Sequence, residues 1–542
     1  MSNAPVQSMA GRSTVYAPNG VIATSQPLAS AAGLEVLQRG GNAIDAAVTA
    51  AAVLAVVEPH MTSMGGDLFA MVWSAKDKNL HGLNASGRSG LLCTRETLAK
   101  RGRTEIGQGA EAITVPGALS GWAALLEKHG TLSLAQALAP AIRLADEGFP
   151  VSPIIADNWG GEVDLLKRDP GAAATFLLDG VRAPKAGEWF RNVDLAATMR
   201  EIAKSGQKHL YGGPLGQKIA AGVQALGGFL TPEDFAAHKA DWVQPVSVPY
   251  KGYRLWELPP NGQGVAALEM LKILEPFDLR GMGHNSAPYL HHLIEAKKLA
   301  YADLEQYVGD PDFMTVSPNQ LLNDQFIAGR RALIDPNRAS PGPGPGPVPT
   351  ANTTYVTAAD AQGNMVSLIT SLASGFGSGV VIPGTGFPLQ NRGVGFSLEP
   401  GKPNSAAPGR RPRHTIIPGF VTKIGAEGKD EPWMSYGIVG GAQQPQAHVQ
   451  VLLNILLFGM DPQQALDAAR FNHTSKTTVA FESPIKPEVI AALEAMGHVR
   501  ADNSKLMGGL PVFFGGGQAI IRAARGWIAG SEPRRDGLAA GY

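Results

Sequence analysis

Two periods of apolar residues alternate along the first third of the chain. Val21–Thr24 reads as a strand, and Pro27 then opens a helix whose positions Leu28, Ala31, Leu34 and Leu37 keep helical spacing until Gly40 and Gly41 end it. Ala43–Val57 is apolar almost throughout, interrupted by Asp45 and Thr49 and followed by Pro59. It is too short to span a bilayer and is predicted to be a buried helix. Gly65 and Gly66 mark a turn before a strand at 69–73, Val115-Pro116-Gly117 opens a helix through Trp122, Leu125 and Leu126, and 291–307 is a long amphipathic helix.

Beyond residue 350 the period shortens to two. Segments 354–360 and 365–372 are predicted strands joined by Ala361-Gln-Gly-Asn364, a hairpin signal. Segments 416–423 and 433–439 form a second such pair, after which Gly440-Gly441 leads into an apolar helix carrying Val449, Leu452, Leu453 and Leu456. Between the two halves lies Ser340-Pro-Gly-Pro-Gly-Pro-Gly-Pro-Val-Pro-Thr350, whose composition predicts an extended, exposed linker. No fixed-period repeat or heptad pattern is present.

Composition narrows the classes. The 542 residues carry 46 basic and 46 acidic side chains, so neither nucleic acid nor an anionic membrane is an expected partner. The single cysteine, Cys93, excludes an intramolecular disulfide framework and a multi-cysteine metal site. The adjacent His291 and His292 diverge on a helix and cannot share one metal; no metal or cofactor is expected. The first ten residues lack a basic segment followed by an apolar core, and a cytoplasmic location is the expectation.

Thr353 stands where the linker meets a strand. A hydroxyl nucleophile needs a base beside it, and scission of the Asn352–Thr353 bond would give this threonine its own α-amine, with a reference pKa of about 7.7–8.0. Ser371, at the far end of the partner strand, faces Thr353 across the predicted hairpin. Gly440 and Gly441 form a strand-to-helix turn whose backbone N–H groups could stabilise an oxyanion. Gly375-Phe-Gly-Ser-Gly379 mimics a dinucleotide loop, but its spacing is incomplete and Pro383-Gly384 breaks any helix after it. Arg410-Arg-Pro-Arg-His414 reads equally as a solvated surface and as a site for a substrate carboxylate.

These segments resemble the γ-glutamyltranspeptidase family of N-terminal-nucleophile hydrolases nearly end to end. The matching motifs include Gly40-Gly-Asn-Ala-Ile-Asp-Ala-Ala47, Glu58-Pro-His-Met-Thr-Ser-Met-Gly-Gly-Asp67, Pro259-Pro-Asn-Gly262, Glu295-Ala-Lys-Lys-Leu-Ala-Tyr-Ala-Asp303, Thr353-Thr354 and Gly440-Gly441. The resemblance implies an α+β fold, a four-layer αββα sandwich, made as a proenzyme and split into a large chain (1–352) and a small catalytic chain (353–542). The two would associate as a heterodimer, possibly as a dimer of these. It also implies that Thr353 is the nucleophile, that Asn352 donates the scissile carbonyl, that Ser371 supports the nucleophile and that Gly440 and Gly441 form the oxyanion site.

The positions that bind glutamate in the family differ here. Its asparagine appears as Ala373, its amide and carboxylate as Arg392 and Gly395 in the loop after Asn391, and its paired serines as His414 and Thr415. Its carboxylate-gripping arginine is matched only by the offset Arg88. A carboxylate is lost and a cation gained, which favours an anionic acyl group bound by Arg88, Asn391, Arg392, Arg411, His414 and Thr415. The segment 400–410 is too short for the family's covering lid, which favours water as acceptor. The pattern is similar to the oxamate-amidohydrolase-like branch and its acylase relatives. The expected activity is therefore amide hydrolysis on a small anionic amide. A γ-glutamyl hydrolase/transpeptidase is the rival within the class, and a non-catalytic binding protein the rival outside it.

Overall fold

The computed structural model describes residues 11–342, 352–502 and 513–542. Most of the Pro/Gly linker expected at 340–350 therefore lies outside the described residues.

Two seven-stranded antiparallel sheets form the centre. One runs in the order Leu538–Gly541, Val21–Thr24, Asn352–Ala359, Met365–Ala373, Asp67–Ser74, Asn79–Ala85, Asp241–Val243. The other runs Val15–Ala17, Trp527–Ser531, Gly516–Arg522, Asp430–Val439, Gly419–Ile424, Tyr253–Glu257, Val246–Tyr250. The strand period of two explains how each sheet is covered on both faces. Along Asp67–Ser74, Phe69, Met71 and Trp73 point between the sheets, where they meet Tyr355, Ile369, Phe420 and Ile520. The alternate residues Leu68, Ala70 and Val72 face outward onto the helices Pro27–Gln38, Ala43–Val57 and Ala118–His129. The outer face of the second sheet, with Val421, Met434, Tyr436 and Ile438, is covered by Gly264–Leu274, Ala287–Tyr307 and Gln443–Phe458. The architecture is the four-layer αββα sandwich. No described helix is long and apolar enough to cross a membrane.

The helix Ala43–Val57, apolar but for Asp45 and Thr49, is buried along its full length, and Asn42 and Asp45 close its start in a reciprocal capping box. Two expectations are corrected. In Pro27–Gln38 the buried face is Ala29, Ser30, Ala32, Gly33 and Leu37, while Ala31 is exposed. The reason is close approach: a Cβ on Gly33 would lie 2.2 Å from Ile22 Cδ1 and 3.0 Å from the Ala46 carbonyl. The strand expected from residue 416 begins instead at Gly419. Ile416 donates its N–H to His414 Nδ1 and Ile417 donates its own to Gln444 Oε1, so neither joins the ladder.

Candidate active site

Strands Asn352–Ala359 and Met365–Ala373 pair antiparallel, with Thr353 opposite Ser371 and a register irregularity between Asn352 and Thr353. Both side chains are buried, and Thr353 Oγ1 donates to Ser371 Oγ at 3.2 Å. Ser371 Oγ also accepts the Ala373 N–H at 2.9 Å. Ala373 holds a φ of +79°, a left-handed conformation that is costly for a residue with a Cβ.

The next turn delivers a charge to the same hydroxyl. Asn391 donates its N–H to the Leu372 carbonyl, and its side chain both accepts from Ser374 N and donates to Ser374 Oγ. That anchorage directs Arg392 inward, where Nη2 donates to Ser371 Oγ at 2.5 Å and Nη1 to Thr415 Oγ1 at 2.8 Å. Arg392 is 4 % exposed, and its Nε has no hydrogen-bond partner among the described residues. Burial lowers its pKa to about 10, with the field of Asp67 acting the other way; the group stays cationic at neutral pH.

Behind the arginine, His414 and Asp67 form a fully buried pair at 3.0 Å. His414 Nδ1 accepts the Ile416 N–H, so Nε2 carries the proton and donates to Asp67. Asp67 also accepts from Gly87 N and Gln390 Nε2. Burial foremost, and then the Arg392 charge, depress the His414 pKa to about 4, so the ring is neutral.

Gly440 and Gly441 have φ values of +123° and +59°, which only glycine adopts without strain. Their carbonyls are held back: Gly440 O accepts from Gln443 N, and Gly441 O accepts from Gln444 N and from Gln263 Nε2. Gln263 also donates to the Thr415 carbonyl, tying the glycine turn to the Arg392 partner. Tyr301 donates its hydroxyl to the Ala442 carbonyl, one residue further along.

The remaining basic candidates are engaged inside the protein. Arg88 pairs with Asp310 at 3.1 Å and with Asp312 at 3.6 Å. Arg411 pairs with Asp241 at 2.8 Å and donates Nε to the Ser86 carbonyl. Arg413 pairs with Glu305, and Arg410 lies over the Phe313 ring. The basic loop is therefore neither a solvated surface nor a free cationic cluster. Asp67, Gln263 and Gln390, which hold the site together, were not singled out in the sequence. Their only signal was Asp67 closing the Glu58–Asp67 motif and Gln263 following Pro259-Pro-Asn-Gly262.

His292 turns away to the Pro288 carbonyl, as expected of adjacent helical histidines, but His291 converges with Glu295 and His498. These groups bond one another and their surroundings: His291 to His498 at 2.9 Å, and Glu295 to the Lys298 ammonium at 2.6 Å. That ammonium opposes a second cation at the same place.

Two stacked antiparallel sheets between helical layers, with a threonine at the head of a central strand, define the N-terminal-nucleophile class of amide-cleaving enzymes. The chain belongs to the γ-glutamyltranspeptidase family: the profile described as Gamma-glutamyltranspeptidase matches residues 29–542. It is an enzyme of that family. It is 36% identical to a glutathione hydrolase-like YwrD proenzyme of Bacillus subtilis (strain 168), covering 97% of this chain and 99% of the relative. It is 35% identical to an oxamate amidohydrolase proenzyme of Klebsiella pneumoniae, covering 97% and 98%. Among solved structures, a cephalosporin acylase from Bacillus halodurans superposes with a TM-score of 0.91 at 43% identity, over 100% of this chain and 99% of that one.

Proposed function

We propose that the chain is a self-processing hydrolase of small amides whose acyl group carries a carboxylate, with Thr353 as nucleophile. In the precursor the Thr353 hydroxyl attacks the Asn352 carbonyl and expels its own nitrogen, forming an ester. Water cleaves the ester, leaving a carboxylate on Asn352 and a free α-amine on Thr353. In turnover that amine takes the hydroxyl proton as Oγ1 attacks the substrate carbonyl. The N–H groups of Gly440 and Gly441 stabilise the tetrahedral oxyanion. The protonated amine then gives its proton to the departing nitrogen, and water releases the acid from the acyl-enzyme.

The observation that carries the substrate class is Arg392. Its guanidinium is buried beside the nucleophile's partner, and among the described residues its hydrogen-bond acceptors are hydroxyls and no carboxylate. A desolvated cation that feels Asp67 only through space, with no carboxylate bonded to it among the described residues, gains strongly once a substrate carboxylate arrives. Arg392 lies within two hydrogen bonds of Thr353 Oγ1, so the carboxylate it grips stands close to the attacked carbonyl. A short acyl group such as the oxalyl group of oxamate suits that closeness. The name of the Klebsiella relative supports this reading. Asn391, Thr415 and His414 would position the arginine rather than touch the substrate.

Two measurements test the proposal. Cleavage before Thr353 divides the 56.7 kDa chain into pieces of about 37 and about 20 kDa; an intact, active chain overturns it. Ammonia release from oxamate should exceed release from a γ-glutamyl anilide in kcat/KM. Saturable turnover of the anilide alone would instead establish a γ-glutamyl hydrolase/transpeptidase, the reading favoured by the name of the Bacillus subtilis relative. An intact chain with no turnover of either substrate would leave a binding protein.

A further inference from the structure

The strands that lead to Thr353 and to Gly440 both start or end far from the site. Asn352–Ala359 runs from Thr353 to the 361–364 turn, and Asp430–Val439 runs from the 425–429 loop to Gly440. At a rise of about 3.4 Å per residue, the first strand carries its far end more than about 20 Å from Thr353, and the second carries its own more than about 30 Å from Gly440. There the hairpins of the two sheets flank an open cleft of about 960 Å³, at the upper end of the size range of small-molecule sites.

Its apolar lining comes from both sheets. Trp73 stacks on Phe420 with centroids 6.4 Å apart, Trp433 packs 4.3 Å from Tyr253, and Trp256 donates its indole N–H to Thr422 Oγ1 at 2.9 Å. These contacts fix the rings before any ligand arrives. Charge is placed unevenly. Four cations and two carboxylates line the cavity, and one of the carboxylates, Asp430, is bonded to Arg254 at 3.1 Å. Lys78, Lys423 and Arg522 form no ion pair among the described residues, and Lys423 Nζ lies 5.8 Å from the Trp433 ring centroid. The other carboxylate, Glu431, lies across from Lys423 on the neighbouring strand, so the lining as a whole keeps an excess of positive charge that favours an anion within it.

We propose that this cavity is a second binding site, distinct from the Thr353 centre, for a small organic anion with a flat aromatic body. The rings of Trp73, Trp256 and Trp433 would take the body, and Lys78, Lys423 and Arg522 the acidic group. The inference is independent of the reaction at Thr353.

The test titrates the wild-type enzyme with 1-anilinonaphthalene-8-sulfonate, followed by its fluorescence. Saturable binding is expected. The doubly charge-reversed variant Lys423→Glu/Arg522→Glu should bind the probe at least tenfold more weakly while its amide turnover stays unchanged. N-phenyl-1-naphthylamine, the same body without the sulfonate, should bind wild type and the double variant alike. Trp256→Leu should weaken both probes. The proposal is overturned if the sulfonate probe does not saturate, if the double variant binds it as wild type does, or if Arg392→Gln abolishes the signal.

Discussion

Arg392 and Arg411 are both buried arginines, yet they have opposite surroundings. Arg411 meets the carboxylate of Asp241 and a backbone carbonyl, so its charge is neutralised within the fold. Arg392 meets the hydroxyls of Ser371 and Thr415, and its Nε has no hydrogen-bond partner among the described residues. A charge bonded to a carboxylate at home holds structure together; a charge bonded only to neutral oxygens, with Asp67 acting through space, is poised for something that arrives from outside. In the sequence both were groups that could line the site, and it is the partner of each that separates their roles.

The most severe way to probe this contrast is to remove what Arg392 serves. Thr353→Ala should remain one uncut chain with turnover below detection, read by mass and by ammonia release; normal cleavage would exclude self-attack by this hydroxyl. Arg392→Gln should then lower kcat/KM for oxamate about 10²–10³-fold, the scale of one lost buried charge pair. Its urea midpoint should hold or rise, because an uncompensated buried cation has gone. Arg411→Gln should show the mirror image. The urea midpoint falls by about 1–3 kcal/mol in stability, a discounted value because Asp241 is one-third exposed, and kcat/KM is nearly retained.

Much of this is readable in the sequence alone. The period-two hairpin with Gly363 at its turn placed Ser371 across from Thr353, because the turn fixes the antiparallel register of the strands it joins. The glycine pair after Val439 was legible for a similar reason, since glycine takes those positive φ values without the strain that a Cβ brings. Arg392 was identifiable as a misplaced charge, but not its direction, which depends on three bonds made by Asn391 within a loop. The His414–Asp67 pair joins residues 347 positions apart, and no local pattern announces such a contact.

The same pair supplies a pH test smaller than those above. His414 ordinarily titrates near 6.5 but is held at about 4 by burial and by Arg392. Between those values the unfolded chain takes up a proton that the folded chain refuses, so stability falls as pH drops through that window. His414→Gln should flatten this loss by up to about 3 kcal/mol, seen as converging urea midpoints at pH 7 and pH 4.5. The least effect belongs to Arg88→Gln. The side chain is 37% exposed, and Asp310 keeps the Arg411 and Asp312 backbone N–H groups as donors. Stability should change by less than about 1 kcal/mol and oxamate turnover by less than twofold.

The first sheet threads segments from before and after Thr353 through one another: Asn352–Ala359 is flanked by Val21–Thr24 and Met365–Ala373, and Leu538–Gly541 closes the edge. A nick ahead of Thr353 would leave that weave undisturbed while removing the tether that once brought its parts together. Assembly of the nicked molecule from its separated pieces would then become a meeting of two solutes, dependent on concentration. Maturation would thus be a ratchet: the finished enzyme would persist because it cannot easily come apart, and would not readily re-form once it had.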